Sequence, residues 1–173
     1  MIVTARRLLD GMGAAPLTDA AVIIRSDRIH WVGPASNAPR ERGEPRLDLG
    51  DVTLVPGLID MHNHLRIDHA EPDLPGQMRD APVAYVLRGL RHLETNLRAG
   101  VTTMKTNGDR DFLDVQMREA VKAGLARGPH LFVAGKGIKS TRCTGGVVAT
   151  AICDGPAAVR RAVRENVAGG ADF

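Results

Sequence analysis

Aromatic side chains are scarce in this 173-residue chain, at 3% with one tryptophan and one tyrosine. The arginines of its helical segments (Arg88, Arg91, Arg98, Arg160, Arg161, Arg164) therefore have no stacking platforms beside them, and the net charge of +3 reads as a solvated basic face. No nucleic acid is expected as a partner. Cysteine is nearly absent too: Cys143 and Cys153 stand in a loop-like stretch without CxxC spacing, and read as reduced thiols. No apolar run approaches the roughly 20 residues of a membrane span. "MIVTARRLLDG" mixes basic residues into its apolar pattern and lacks the continuous core of a secretory signal. No membrane partner and a cytoplasmic location follow as expectations.

What is present, 43% hydrophobic and 25% charged residues, suits a globular protein. The first fifty or so residues read as short strands: Ile2 to Leu9, two strands in "AAVIIRSDRIHWVG" joined by a tight turn at Ser26-Asp27, a loop from Pro34 to Pro45, and a further pair around Gly50-Asp51. Residues 1–55 thus form a small β unit, too small to close a sandwich alone.

From Pro56 the pattern changes. "GLIDMHNH" reads as a buried strand. Pro82 to Ala99 follows as a helix with Val83, Val86, Leu87, Leu90, Leu93 and Leu97 on one face and Gly100 at its C-terminus. "VTTMKT" is a strand, and Asp109 or Asp111 caps a helix running through Leu125 to Gly128-Pro129. "HLFVAG" is the next strand, and a Gly-rich loop from Gly135 to Asp154 leads into a third helix. That helix has Asp154 as cap and Val159, Ala162, Val163 and Val167 on one face, and "ADF" begins another strand. Strand–helix alternation argues for a parallel sheet with helical crossovers. A closed barrel of this kind takes eight such units in roughly 250 residues. The fold class expected is α/β: residues 56–173 as the first three βα units and the start of the fourth strand of a TIM-like (β/α)8 barrel, incomplete in this chain, after a β-sandwich segment in residues 1–55. A small open sheet complete in itself is the alternative.

Within "LVPGLIDMHNHL", His62 and His64 stand at i and i+2 of a strand, where side chains share a face and two imidazoles can reach one cation. Barrel active sites gather at such strand ends. The same spacing also suits two solvent-facing or hydrogen-bonded imidazoles with no ion. Asp60 either fixes the tautomer of a ligand histidine or faces inward as a structural group.

"PGLIDMHNHL" resembles the first-strand signature of the amidohydrolase superfamily of metal-dependent hydrolases. "RLLDG", "AVIIRSDRIHWVG" and "DLGDVTLVPG" are similar to its N-terminal β-sandwich segment, and "NLRAGVTTMKTNG", "GLARGPHLFVAG" and "CDGPAAVRRAVRENVAGGAD" to later strand–helix units of its imidazolonepropionase-like and prolidase-like branch. The resemblance implies hydrolysis of carbon–nitrogen bonds (amide, peptide-like or cyclic amide) by a metal-activated water. It implies a divalent metal cofactor, commonly zinc, as one or two ions, with His62 and His64 as ligands, and a small-molecule amide or dipeptide-like substrate. The family's remaining ligands are expected beyond Phe173, and no catalytic residue is placed within the chain. Lys105-Thr106 departs from the family's more common Arg-Asp, which matters little to the metal; Val147 stands where many relatives have a histidine, which leaves branch and substrate open.

Other candidates read as structural. His69 is a loop histidine, His92 lies on a helix and His130 at a strand's start. Lys136, Lys139 and Arg142 form a charged loop that is either solvated or a receptor for a substrate carboxylate. "GKGIKST" lacks the spacing of a phosphate loop. The competing function is a non-catalytic fragment or scaffold without a complete metal site. Its open sheet edge and apolar faces predict association, including into a homo-oligomer.

Overall fold

A computed structural model of the chain describes residues 1–39, 43–68, 70–77, 79–143 and 150–173, Thr150 by its backbone alone. His69 and Val147 lie outside the described residues. The fold divides into two compact units, Met1–Pro56 and Gly57–Phe173.

The first unit is one sheet. Strands β1 (Ile2–Leu8) and β2 (Leu17–Arg25) are antiparallel, and β2 turns at Ser26-Asp27 into antiparallel β3 (Arg28–Pro34), with Ser26 at φ +56°. Alternation puts Ala21 and Ile23 on one face with Ile2, and Ala20 and Val22 on the other with Leu8, so β2 is buried on both sides. The two short strands expected around Gly50 do not pair with each other. β4 (Arg46–Asp48) and β5 (Thr53–Leu54) run parallel to β1, one after the other along its free edge. Gly50, at φ +70° and bonded through its amide to Asp48 Oδ1 at 3.0 Å, makes the break between them.

The second unit alternates strands and helices. β6 (Leu58–Asn63) is followed by a short helix α1 (Leu74–Gln77), the long helix α2 (Pro82–Arg98) and β7 (Val101–Thr106). A 3-10 turn (Arg110–Phe112) then leads into α3 (Leu113–Lys122) and β8 (His130–Phe132). β6, β7 and β8 are adjacent and parallel, in that order. α2 and α3 cover one face of this sheet, burying Tyr85, Leu93, Val115 and Met117 against Met104, Leu131 and Val133. Apolar surface removed from water here stabilises the unit by about 25 cal/mol per Å².

α2 begins with Pro82 at its first turn and ends before Gly100, at φ +93°, as the sequence suggests. Its buried stripe is rotated from the expected one. Tyr85, Gly89 and Leu93 face inward while Val83 and Leu87 are 70% and 63% exposed, because Gly89 admits Met117: a Cβ there would lie 2.4 Å from Met117 Cε. α3 stops at Lys122, before the expected Gly128-Pro129, and leaves Leu125 exposed. The stretch from Gly135 to Asp154, expected as loop, contains β9 (Gly137–Lys139) and β10 (Thr150–Ile152), paired in parallel. α4 (Pro156–Ala168) is capped by Gly155 rather than Asp154, whose carboxylate takes the Thr141 amide and hydroxyl. Ala162 and Asn166 are its buried residues; Val159, Val163 and Val167 are exposed. Residues 171–173 form no strand, but Asp172 lies beside β8, its amide on the Val133 carbonyl at 2.8 Å and its carboxylate on the Val133 amide at 2.8 Å. Among the described residues the sheet is open, and no helix is long and apolar enough to cross a membrane.

Candidate metal centre

His62 lies in β6 and His64 one residue past its end, where the chain leaves the sheet at its C-terminal side. Their rings stand edge to face, centroids 5.3 Å apart and planes at 77°. Both line one cavity of about 480 Å³, together with Asn63, Ile67, Asp68, His92 and Asn96. An imidazole centroid lies about 3.2 Å from an ion bound to its nitrogen, so two rings sharing a tetrahedral ion have centroids about 5 Å apart. The observed separation and the donor chemistry both fit a divalent cation. In number the pair supplies half of a tetrahedral set. Among the described residues, no three His, Cys, Asp or Glu side chains come together to hold an ion.

Asp60 bonds to the backbone of one histidine and to the residue between the two. Its carboxyl oxygens accept the backbone N–H of His62 at 3.0 Å and the Asn63 amide at 2.8 Å.

The opposite wall of the cavity was not visible in the sequence. His92 Nδ1 lies 2.8 Å from the Leu65 carbonyl, which ties α2 to the residue after His64, and its Nε2 is 3.7 Å from Asp68. Asn96, one turn on, reaches the same cavity, so the i, i+4 pair of polar residues was the available signal. The Ala70 amide, aided by the Arg91 guanidinium and His92, holds the Asp68 carboxyl below the usual carboxylate range. The loop itself is wired by buried Gln77, which accepts the Asp68 amide at 2.8 Å and donates to the Asp68 carbonyl at 2.9 Å.

The segments that follow β6 and β7 contribute a buried charged pair. Arg66 and Asp109 are each almost wholly inaccessible, with Arg66 Nε 3.8 Å from Asp109 Oδ1 and the guanidinium 5.4 Å from the centre of the Tyr85 ring. Burial lowers the Arg66 guanidinium from its ordinary value, and Asp109 opposes this. Burial also pushes Asp109 up to about 7, against the Arg110 amide and Arg66. The Lys136 ammonium sits over the Phe112 ring at 4.9 Å, and Lys139 belongs to β9. His130 packs edge-on against Phe132, 4.9 Å between centroids.

A parallel sheet β6-β7-β8 with helices on one face, and two histidines at the end of its first strand, defines an α/β unit with a candidate ligand pair at a strand end. The comparisons with known proteins agree. The sequence profile of the Amidohydrolase family matches residues 53–173, and the chain belongs to that family. The imidazolonepropionase of Arthrobacter sp. (strain FB24) is 38% identical over 96 residues, 56% of this chain and 21% of that protein. A solved amidohydrolase structure superposes with a TM-score of 0.81 at 28% identity, over 99% of this chain and 45% of that one. A prolidase solved with N-methylphosphonate-L-proline gives a TM-score of 0.81 at 25% identity, again over 99% and 45%. The chain therefore spans about a fifth of that curated relative and under half of the solved ones.

Proposed function

We propose that the chain supplies the N-terminal part of a metal-dependent hydrolase of carbon–nitrogen bonds, with residues 1–55 as a β-sandwich segment and 56–173 as the first βα units of the barrel. The observation that carries this is the His62–His64 pair, side by side on one cavity at a strand end, in a chain of the Amidohydrolase family. His62 and His64 hold a divalent ion, zinc by donor type, in a centre of one or two ions. When bound, such an ion acidifies water and polarises a carbonyl. The chain's own residues contribute orientation: Asp60 fixes the backbone at His62, and His92 fixes it just after His64. The remaining ligands and the proton-transferring group come from outside the described residues. The names of the relatives point to small substrates with an amide, dipeptide-like or cyclic amide bond. A cytoplasmic location and a homo-oligomer belong to the same reading.

A non-catalytic role is the second reading, favoured by the lack of a third ligand among the described residues. Metal analysis of the protein at its full encoded length separates the two, with hydrolysis measured on Xaa-Pro dipeptides and cyclic amides. The hydrolase reading expects one or two ions per chain. It also expects turnover that a chelator abolishes and zinc restores, and loss of ion and turnover in His62→Ala/His64→Ala. Equal metal content in that double variant, or turnover indifferent to chelation, would overturn it.

A further inference from the structure

The two histidines do not leave β6 from a regular strand. Asp60 is level with Met104 and Asn63 with Thr106, so β6 advances three residues where β7 advances two. The extra residue is a bulge between Asp60 and Asn63, and it contains His62. A bulge unpairs one residue from the ladder and re-aims the side chains that follow. Strict alternation therefore does not decide where His62 and His64 point relative to the sheet; the local backbone at the bulge does.

Asp60 spans this bulge with both carboxyl oxygens. One carboxyl oxygen takes the His62 N–H at 3.0 Å, and the other takes the Asn63 side-chain amide at 2.8 Å. Asn63 is in turn fixed to the neighbouring connection, its carbonyl accepting the Asn107 amide at 3.0 Å. The bulge is thus held at both ends by one side chain.

From this geometry we infer that Asp60 is a positioning residue, which sets the spacing and relative tilt of the His62 and His64 rings through the backbone of the bulge. The inference rests on the metal-ligand reading for its consequence, but its structural content stands without any metal. Replacement by asparagine keeps an oxygen for the His62 N–H, and the Asn63 amide can flip to meet the new NH₂ group. Replacement by alanine removes both acceptors. Asn63→Ala removes only the second bond.

The test has two arms on the same full-length protein. In the metal-free protein with isotope-labelled histidine, ring-to-ring nuclear Overhauser contacts between His62 and His64 are expected in the wild type and in Asp60→Asn. They are expected to be lost in Asp60→Ala and weakened in Asn63→Ala. Cobalt binding, read from its visible absorption, is expected to weaken by about 10- to 100-fold in Asp60→Ala with an altered band shape, and to be restored in Asp60→Asn. An unchanged ring contact in a folded Asp60→Ala would overturn the inference whatever the metal result. So would an Asp60→Asn variant as impaired as the alanine, since that would make the effect one of charge. If Asp60→Ala does not fold, an unchanged ring contact in Asn63→Ala overturns the inference in its place. Absence of cobalt binding by the wild type, with the ring contacts behaving as expected, would sink the hydrolase reading and leave the positioning role standing.

Discussion

Asp114 accepts the Thr106 hydroxyl at 3.0 Å, joining the last residue of β7 to the first turn of α3 inside the protein. The same oxygen takes the amides of Ala134 at 3.1 Å and Gly135 at 3.0 Å, and its partner oxygen takes the Val115 amide at 2.8 Å. One buried carboxylate thus binds the ends of two neighbouring strands and a helix start. Burial raises the Asp114 carboxyl, and these bonds oppose the rise. Asp114→Ala would strand three amides, each costing about 1–3 kcal/mol where it stays buried, while the Thr106 hydroxyl keeps the Phe132 carbonyl at 3.4 Å. A loss of about 3 kcal/mol or more in urea unfolding is expected, and about 1 kcal/mol for Thr106→Val. An alanine variant within about 0.5 kcal/mol of wild type would contradict this account.

Asp109 makes stability depend on pH with an unusual sign. Its carboxyl titrates at about 7 when folded, against an ordinary 3.8, so between those values the folded chain holds a proton that the unfolded chain has released. Its contribution is fully present below about pH 4 and is lost as pH rises through about 7, by at most about 4 kcal/mol. Asp109→Asn should flatten the profile across that window, and should remain weaker at higher pH because Arg66 loses its anionic partner. Urea midpoints from acid to neutral pH provide the measurement; parallel curves for the two proteins would rule the assignment out.

Gly108 and Gly124 offer a matched contrast. Both have positive φ, +101° and +72°, but a Cβ on Gly108 would stand 2.8 Å from the Gly137 amide nitrogen and 2.9 Å from its Cα, while a Cβ on Gly124 meets nothing within 4 Å. Backbone cannot step aside as a side chain can. Gly124→Ala is expected to cost about 1 kcal/mol, for the strained conformation alone. Gly108→Ala should cost about 2 kcal/mol or more, from overlap added to strain. Equal thermal shifts for the two would remove the close approach of residues 108 and 137 as an explanation.

Much of the candidate site was legible because it is local. The His62-x-His64 spacing at the end of an apolar run is a property of consecutive residues, and the structure brings the two rings together at 5.3 Å. Asp68 and His92 were not legible as cavity walls. Each is unremarkable where it stands, and only the packing of α2 beside the end of β6 makes them neighbours.

The sequence by itself determined the strand–helix alternation from β6 to β8, the ends of α2 at Pro82 and Gly100, and the turn at Ser26-Asp27, since caps, turns and periodicity act over a few residues. Tertiary structure alone decided which stripe of α2 is buried, that β4 and β5 share one edge of β1, and that a bulge held by Asp60 carries His62. A helix has several apolar rows, and a strand can pair in several registers. The choice among them is made by residues far along the chain, such as Met117 against Gly89 or Thr106 level with Asn63.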